Sequence, residues 1–154
     1  MSYRNQKQKA KLILERGNRL KLNPSCRILS LAKKVLDTGS NRDPGQPGYQ
    51  ELVEALYELP AWAYIFDHID DSEFRGGCAE MLSLATKDSV LLKDSISNKG
   101  RNAQLELLIY ATLKEARLSP TRNKTGPDFN CTVLGQTYSV EVKRITSSNP
   151  DKII

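Results

Sequence analysis

Apolar positions recur at helical spacing through the first two thirds of the chain and switch to alternation near its end. From Asn5 to Leu20 they are few (Ala10, Leu12, Ile13 and Leu14), which predicts a short helix with a lysine-rich face ending near Gly17. Asn23-Pro24-Ser25 suits a helix start, and Cys26, Leu29, Leu31, Ala32, Val35 and Leu36 predict a second helix that stops at Thr38-Gly39. A loop follows from Ser40 to Gly48, where Pro44, Gly45, Pro47 and Gly48 crowd together. Tyr49 to Leu59 reads as a third helix with Leu52, Val53, Leu56 and Leu59 on one side, and Pro60 is expected to kink or end it before Ala61 to Ile69 continues the apolar run. Glu73 to Leu92 predicts a further helix or pair of helices, with Met81, Leu82, Leu84, Ala85 and Leu91 as core. The polar stretch Ser95 to Gly100 then marks a boundary, dividing a helical region of unassigned role (1–97) from a second segment (98–154) opened by a helix from Arg101 to Leu118.

Beyond Ser119-Pro120 the period becomes two. Arg122, Asn123 and Lys124 form a short edge strand or a loop. Phe129, Cys131 and Val133 then alternate with Asp128, Asn130 and Thr132, predicting a strand from Asp128 to Leu134. After a turn at Gly135-Gln136, Tyr138, Val140 and Val142 share one face of a second strand, and Ser139, Glu141 and Lys143 share the other. Pairing about that turn sets Asp128 roughly opposite Lys143 or Arg144, with Glu141 a step or two along.

Composition narrows the classes. A chain of 154 residues, 39% of them hydrophobic, can bury a moderate core as one domain or two small ones. The net charge of +5 is uneven: ten basic residues against one acidic over 1–34, four against twelve over 35–97, and nine against five over 98–154. The basic start, with Lys7, Lys9, Lys11, Arg16, Arg19 and Lys21, suits nucleic-acid phosphates, a solvated helix face, or docking on the acidic middle around Asp67, Asp70, Asp71 and Glu73. Cys26, Cys78 and Cys131 have no disulfide or zinc spacing, and no apolar run has transmembrane length or signal-peptide form, which fits a reducing cytoplasm and no membrane partner. His68, the lone histidine, stands between Asp67 and Asp70, where a His-Asp pair is conceivable but an exposed or locally bonded ring is the plainer reading; a serine or cysteine triad has no other histidine to use. Trp62 and Tyr64 read as packing residues before base-stacking ones.

Chemistry concentrates in the last third. Asp128 and Glu141 offer hard oxygen ligands for one Mg²⁺, and Lys143 shares the face of Glu141, where an ammonium can orient water and stabilise a pentavalent phosphate. Glu106 interrupts an apolar helix surface between Leu105 and Leu107, so its carboxylate wants a metal or Lys143 as partner; the plainer reading turns it to solvent or pairs it with Arg101 or Arg117. Arg101, Arg122, Lys124 and Arg144 are candidate phosphate contacts, though solvated loop cations look the same in sequence.

The set Pro127-Asp128, then Glu141-Val142-Lys143, behind a helix carrying Glu106, resembles the PD-(D/E)XK nuclease superfamily over residues 99–154. The resemblance implies an α+β fold with an α/β-like core of restriction-endonuclease type. It implies hydrolysis of phosphodiester bonds in nucleic acid, DNA before RNA, to a 5′-phosphate and a 3′-hydroxyl. It implies Mg²⁺ or Mn²⁺ held by Asp128, Glu141, the backbone carbonyl of Val142 and Glu106, with Lys143 activating water. The family fold continues past the Glu-x-Lys strand, whereas only Ile145 to Ile154 remain here; Asn149-Pro150-Asp151-Lys152 reads as the next helix beginning. A longer protein, a partner or a homodimer is therefore expected to complete the sheet. Two rivals use the same residues: a module that binds nucleic acid without cutting it, and a helical domain for protein assembly.

Overall fold

The computed structural model describes residues 3–37, 43–89 and 99–143, with the side chains of Tyr3 and Arg4 left aside. Among these residues the architecture is mixed α plus β. Six helices, α1 (Tyr3–Arg19), α2 (Arg27–Asp37), α3 (Tyr49–His68), α4 (Asp71–Arg75), α5 (Ala79–Thr86) and α6 (Lys99–Glu115), precede β1 (Thr121–Arg122), β2 (Phe129–Val133) and β3 (Gln136–Val140). The strands form one antiparallel sheet in the order β1-β2-β3. The predicted stop at Thr38-Gly39, the loop start, Leu91, most of the 95–100 boundary, Arg144 and the Asn149–Lys152 helix start fall outside the described residues.

Helix α1 buries a narrow stripe, Gln6, Ala10, Ile13 and Gly17, at the spacing of a single helix face. The expectation that it ends near Gly17 is corrected. The helix runs on to Arg19, because Gly17 is no terminator: a Cβ built there would come within 2.4 Å of Leu29 Cδ2 on α2. The missing side chain is what lets the two helices approach. The turn comes at Lys21, at φ 55°, where the Leu22 amide donates back to the Gly17 carbonyl.

Of the readings open to the basic start, docking on the acidic middle is realised at its C-terminal end. Arg16 donates to the Ile69 carbonyl at 2.7 Å and pairs with Asp71 at 2.8 Å, and Arg19 lies 3.6 Å from the same carboxylate.

Pro60 does not end α3, which passes through it. A proline removes one backbone donor, but Leu59, Trp62, Ala63, Ile65 and Phe66 around it are all buried, and tertiary packing holds the helix where propensity alone would break it. Trp62 stacks near Phe66, with ring centroids 5.9 Å apart, so it serves the core as read. His68 is locally bonded, its Nδ1 2.9 Å from the Tyr64 carbonyl oxygen. The predicted helix from Glu73 divides into α4 and α5 at Gly76-Gly77, and the Glu73 carboxylate accepts the Asp70 amide at 2.8 Å at the start of α4. All three cysteines are free and buried.

One hydrophobic cluster runs from Ala10 and Ile13 through α2, α3 and α5 to Leu107 and Ala111 of α6 and Phe129 of β2. It therefore draws on both sides of the sequence boundary placed at residue 98. Charge is buried with it: Glu58 of α3 accepts from both Arg27 of α2 and Arg101 of α6, while Arg27 also donates to Gln104 Oε1 at 2.9 Å.

Candidate active site

Helix α6 and the hairpin meet through Tyr110 and Phe129, whose ring centroids are 5.7 Å apart. Phe129 and Cys131 point into the protein, as the alternation requires. Val140, at the end of the following strand, and Val142 just beyond it pack against the core. The predicted turn shifts back by one residue, to Leu134-Gly135, closed by the pair Val133↔Gln136. Both turn residues have left-handed φ, 49° and 79°, the geometry that matches the twist of a two-residue hairpin.

That shift corrects the register. Phe129 pairs with Val140, so one step further Asp128 faces Glu141, not Lys143 or Arg144. β3 ends at Val140, and Glu141, Val142 and Lys143 follow it outside the ladder. Asp128 nevertheless ties this stretch down, its Oδ2 accepting the Val142 amide at 2.6 Å.

The loop that delivers Asp128 is set by amides that the sequence reading did not single out. Asn123 donates from its side chain to the Pro127 carbonyl at 2.8 Å and from its backbone to the Asp128 carbonyl at 3.0 Å. Asn130 donates to Asn123 Oδ1 at 3.1 Å and accepts from the Ser139 hydroxyl at 3.1 Å, which links β1, the loop, β2 and β3 in one chain of bonds.

Glu106 projects from α6 toward this place, its side chain 22% exposed. Burial, and then the negative charge of Asp128, hold its carboxyl above the usual range; Arg122 opposes the rise and Glu80 adds to it. Its cationic neighbour is thus Arg122, at 3.8 Å, in place of the expected Lys143, Arg101 or Arg117. Arg122 donates more closely to Glu80 of α5, at 2.7 Å, and this bond holds the Glu80 carboxyl below its usual range. No spacing in the sequence ties Glu80 to Arg122. They meet only because α5 packs on α6 and the sheet lies against α6.

The remaining predicted residues are placed as follows. Glu141 and Lys143 pair with each other at 3.2 Å, 60% and 78% exposed. Lys124 is exposed on the loop before Asp128. Arg101 is corrected as a phosphate contact: its guanidinium is enclosed by Glu58, Glu54 and Asp88 at the base of a cavity of about 590 Å³ between α3 and α6.

Among the described residues, no three of His, Cys, Asp and Glu are grouped closely enough to hold an ion between them. Of the three predicted carboxylates, Glu106 lies within the field of Asp128, and Glu141 follows in the stretch that Asp128 ties down beyond β3. Glu106 and Asp128 are nonetheless two partly buried carboxylates, ligands of the hard oxygen type that Mg²⁺ takes. Compared with known proteins, the chain matches no family model, no curated protein and no solved structure.

Proposed function

We propose that the chain is a divalent-cation-dependent nuclease of PD-(D/E)XK type that hydrolyses phosphodiester bonds in nucleic acid, with DNA favoured over RNA. The observation that carries this reading is the bond from the Val142 amide to Asp128 Oδ2, which ties the Glu141-Val142-Lys143 stretch to Asp128, while burial and the charge of Asp128 raise the carboxyl of Glu106. Two carboxylates kept half-buried against their own repulsion are costly to a fold, and perturbed acids of this kind concentrate at functional sites. Glu106, Asp128, Glu141 and the Val142 carbonyl would hold Mg²⁺, for which Mn²⁺ can substitute. The ion supplies Lewis acidity and charge neutralisation at the phosphate when bound.

The chain's own residues divide the remaining work. Asp128 fixes the Val142 amide and so the position of the residues on either side of it. Lys143, free to swing at the surface, carries its ammonium toward the scissile phosphate and its attacking water. Lys124, exposed on the loop before Asp128, contacts the backbone phosphates.

A second reading, a nucleic-acid-binding module without catalysis, draws on the pairing of Glu141 with Lys143 at the surface, which leaves neither directed at Glu106. Mn²⁺ titration by calorimetry, beside cleavage of supercoiled DNA with and without EDTA, separates the two. Binding abolished by Asp128→Ala together with EDTA-sensitive cleavage supports the nuclease. DNA binding that persists in EDTA, with no cleavage under Mg²⁺ or Mn²⁺, supports the module.

A further inference from the structure

We propose that the open edge of β3 is a self-association surface, on which β3 of a second copy of this chain pairs antiparallel about a two-fold axis at Tyr138. The surface is independent of the proposed chemistry.

A strand residue directs its backbone amide and carbonyl to one neighbouring strand or the other, in alternation. The Asn123 amide donates to the Asp128 carbonyl on the β1 side, so the even-numbered residues of β2 serve β1 and the odd-numbered ones serve β3. Phe129, Cys131 and Val133 therefore exchange bonds with Val140, Tyr138 and Gln136, and the amides and carbonyls of Thr137 and Ser139 face away from the sheet. Among the described residues no backbone group meets them. Proteins blunt such edges with lysine, proline, a bulge or an inward charge. The run Gln136-Thr137-Tyr138-Ser139-Val140 has none of these. Of the four large hydrophobic side chains exposed among the described residues, two, Leu134 and Tyr138, belong to this hairpin, which marks it as a surface left uncovered.

Symmetry indicates the occupant. An interface between two copies about a two-fold axis must complement itself. With the axis at Tyr138, Thr137 of each copy lies opposite Ser139 of the other, and every outward amide and carbonyl of the two strands finds a partner. An axis at Thr137 or at Ser139 would leave one of these residues without a strand partner. On the face shared with Cys131, the two Tyr138 side chains, each 52% exposed, meet as a pair of the closer antiparallel kind; on the opposite face the Thr137 and Ser139 hydroxyls become neighbours. The paired strands are uncharged, so the net charge of +5 sets no like charges opposite each other within them. Five residues a side make a small interface, and the dimer is expected to dissociate in about the micromolar range.

Sedimentation equilibrium tests the association, and paired cysteine variants test its register. The natural chain should pass from monomer to dimer between about 1 μM and 1 mM. Tyr138→Cys treated with glutathione disulfide should form a disulfide-linked dimer, because the two Cα atoms lie about 4.5 Å apart in such a pair. Thr137→Cys, about 8 Å from its copy, should not. The natural cysteines are buried and do not compete. Thr137→Pro deletes an amide that β2 does not use, so it should keep the far-ultraviolet circular dichroism of the natural chain while remaining monomeric throughout. A natural chain that stays monomeric to about 1 mM overturns the proposal and leaves the edge to a strand of another protein. A dimer that survives in folded Thr137→Pro overturns the surface, and cross-linking of Thr137→Cys as fast as Tyr138→Cys overturns the register. Should Thr137→Pro unfold, the two cysteine variants decide.

Discussion

Asp128 and Val142, fourteen residues apart in sequence, are joined by a bond of 2.6 Å from the Val142 amide to the Asp128 carboxylate. It lies beyond the last rung of the β2–β3 ladder, Phe129↔Val140, and ties the chain leaving β3 to the residue that enters β2. Asp128 therefore has two duties, one structural and one electrostatic, that substitution can separate. Asparagine keeps an acceptor oxygen but no charge; alanine keeps neither. Asp128→Asn should leave the urea midpoint nearly unchanged and abolish Mn²⁺ binding. Asp128→Ala should also abolish binding and cost about 1 kcal/mol through the unsatisfied Val142 amide. Equal Mn²⁺ affinity in Asp128→Asn would remove Asp128 from the cation site.

Lys143 offers the cleanest test of catalysis. It is 78% exposed and, among the described residues, pairs with Glu141, itself exposed, so the described fold does not lean on it. Lys143→Ala should reduce cleavage by about 100- to 1,000-fold, the usual cost of a lost charge-stabilising group, with Mn²⁺ affinity and urea midpoint unchanged. Cleavage at the natural rate would exclude it from the chemistry.

Much of this arrangement was legible from period alone. Alternation over Phe129, Cys131 and Val133 placed β2 correctly, because a strand lying on a helix must bury every second side chain. Register was not legible. It hangs on whether the turn is Leu134-Gly135 or Gly135-Gln136, a difference of one residue that alternation does not resolve. The buried ions were missed for another reason. Arg27 lies among the apolar positions of α2, Glu58 beside Leu59, and Arg101 opens α6; each is an ordinary helix residue until three helices bring them together. The pairing of Glu80 with Arg122 escaped in the same way. Gly17 was misread because its role, admitting Leu29, belongs to another helix.

Glu58 is the structural counterpart of that missed charge. Its carboxylate is shared between Arg27, whose side chain is 0% exposed, and Arg101. Glu58→Ala would leave two buried guanidiniums without their common partner, and should lower stability by about 3–5 kcal/mol in urea. Glu58→Gln, which retains an acceptor, should cost less. A loss below about 1 kcal/mol for Glu58→Ala would show that water reaches this network.

Gly17 sets two effects against each other. Alanine is favoured over glycine in a helix by about 0.5–1 kcal/mol. The added methyl would meet Leu29 Cδ2 at 2.4 Å, where Leu29 is buried, and overpacking a core contact costs about 1–3 kcal/mol. The clash should win, so Gly17→Ala is expected to be destabilising despite the better helix former; a higher urea midpoint would mean that Leu29 turns aside at little cost.

Glu106 gives the prediction with the most direct bearing on function. Its carboxyl is raised above the ordinary carboxylate range, first by burial and then by Asp128, so in a pH window extending upward from that range the folded state binds more protons than the unfolded one. Stability attributable to this group therefore falls as pH rises through that window, and the penalty is full once pH exceeds the folded value. Well below the ordinary carboxylate range both states are protonated and the penalty vanishes. Glu106→Gln cannot ionise. It should be more stable than the natural chain at neutral pH and lose that advantage in acid, while failing to bind Mn²⁺. Urea titrations at the two pH values read the sign directly. A variant less stable at neutral pH would mean that the distant Arg122 stabilises the Glu106 carboxylate more than burial and Asp128 disfavour it. A stabilised variant that has lost the cation would identify Glu106 as a carboxylate held against the interest of the fold, the trade expected of a site built to receive positive charge.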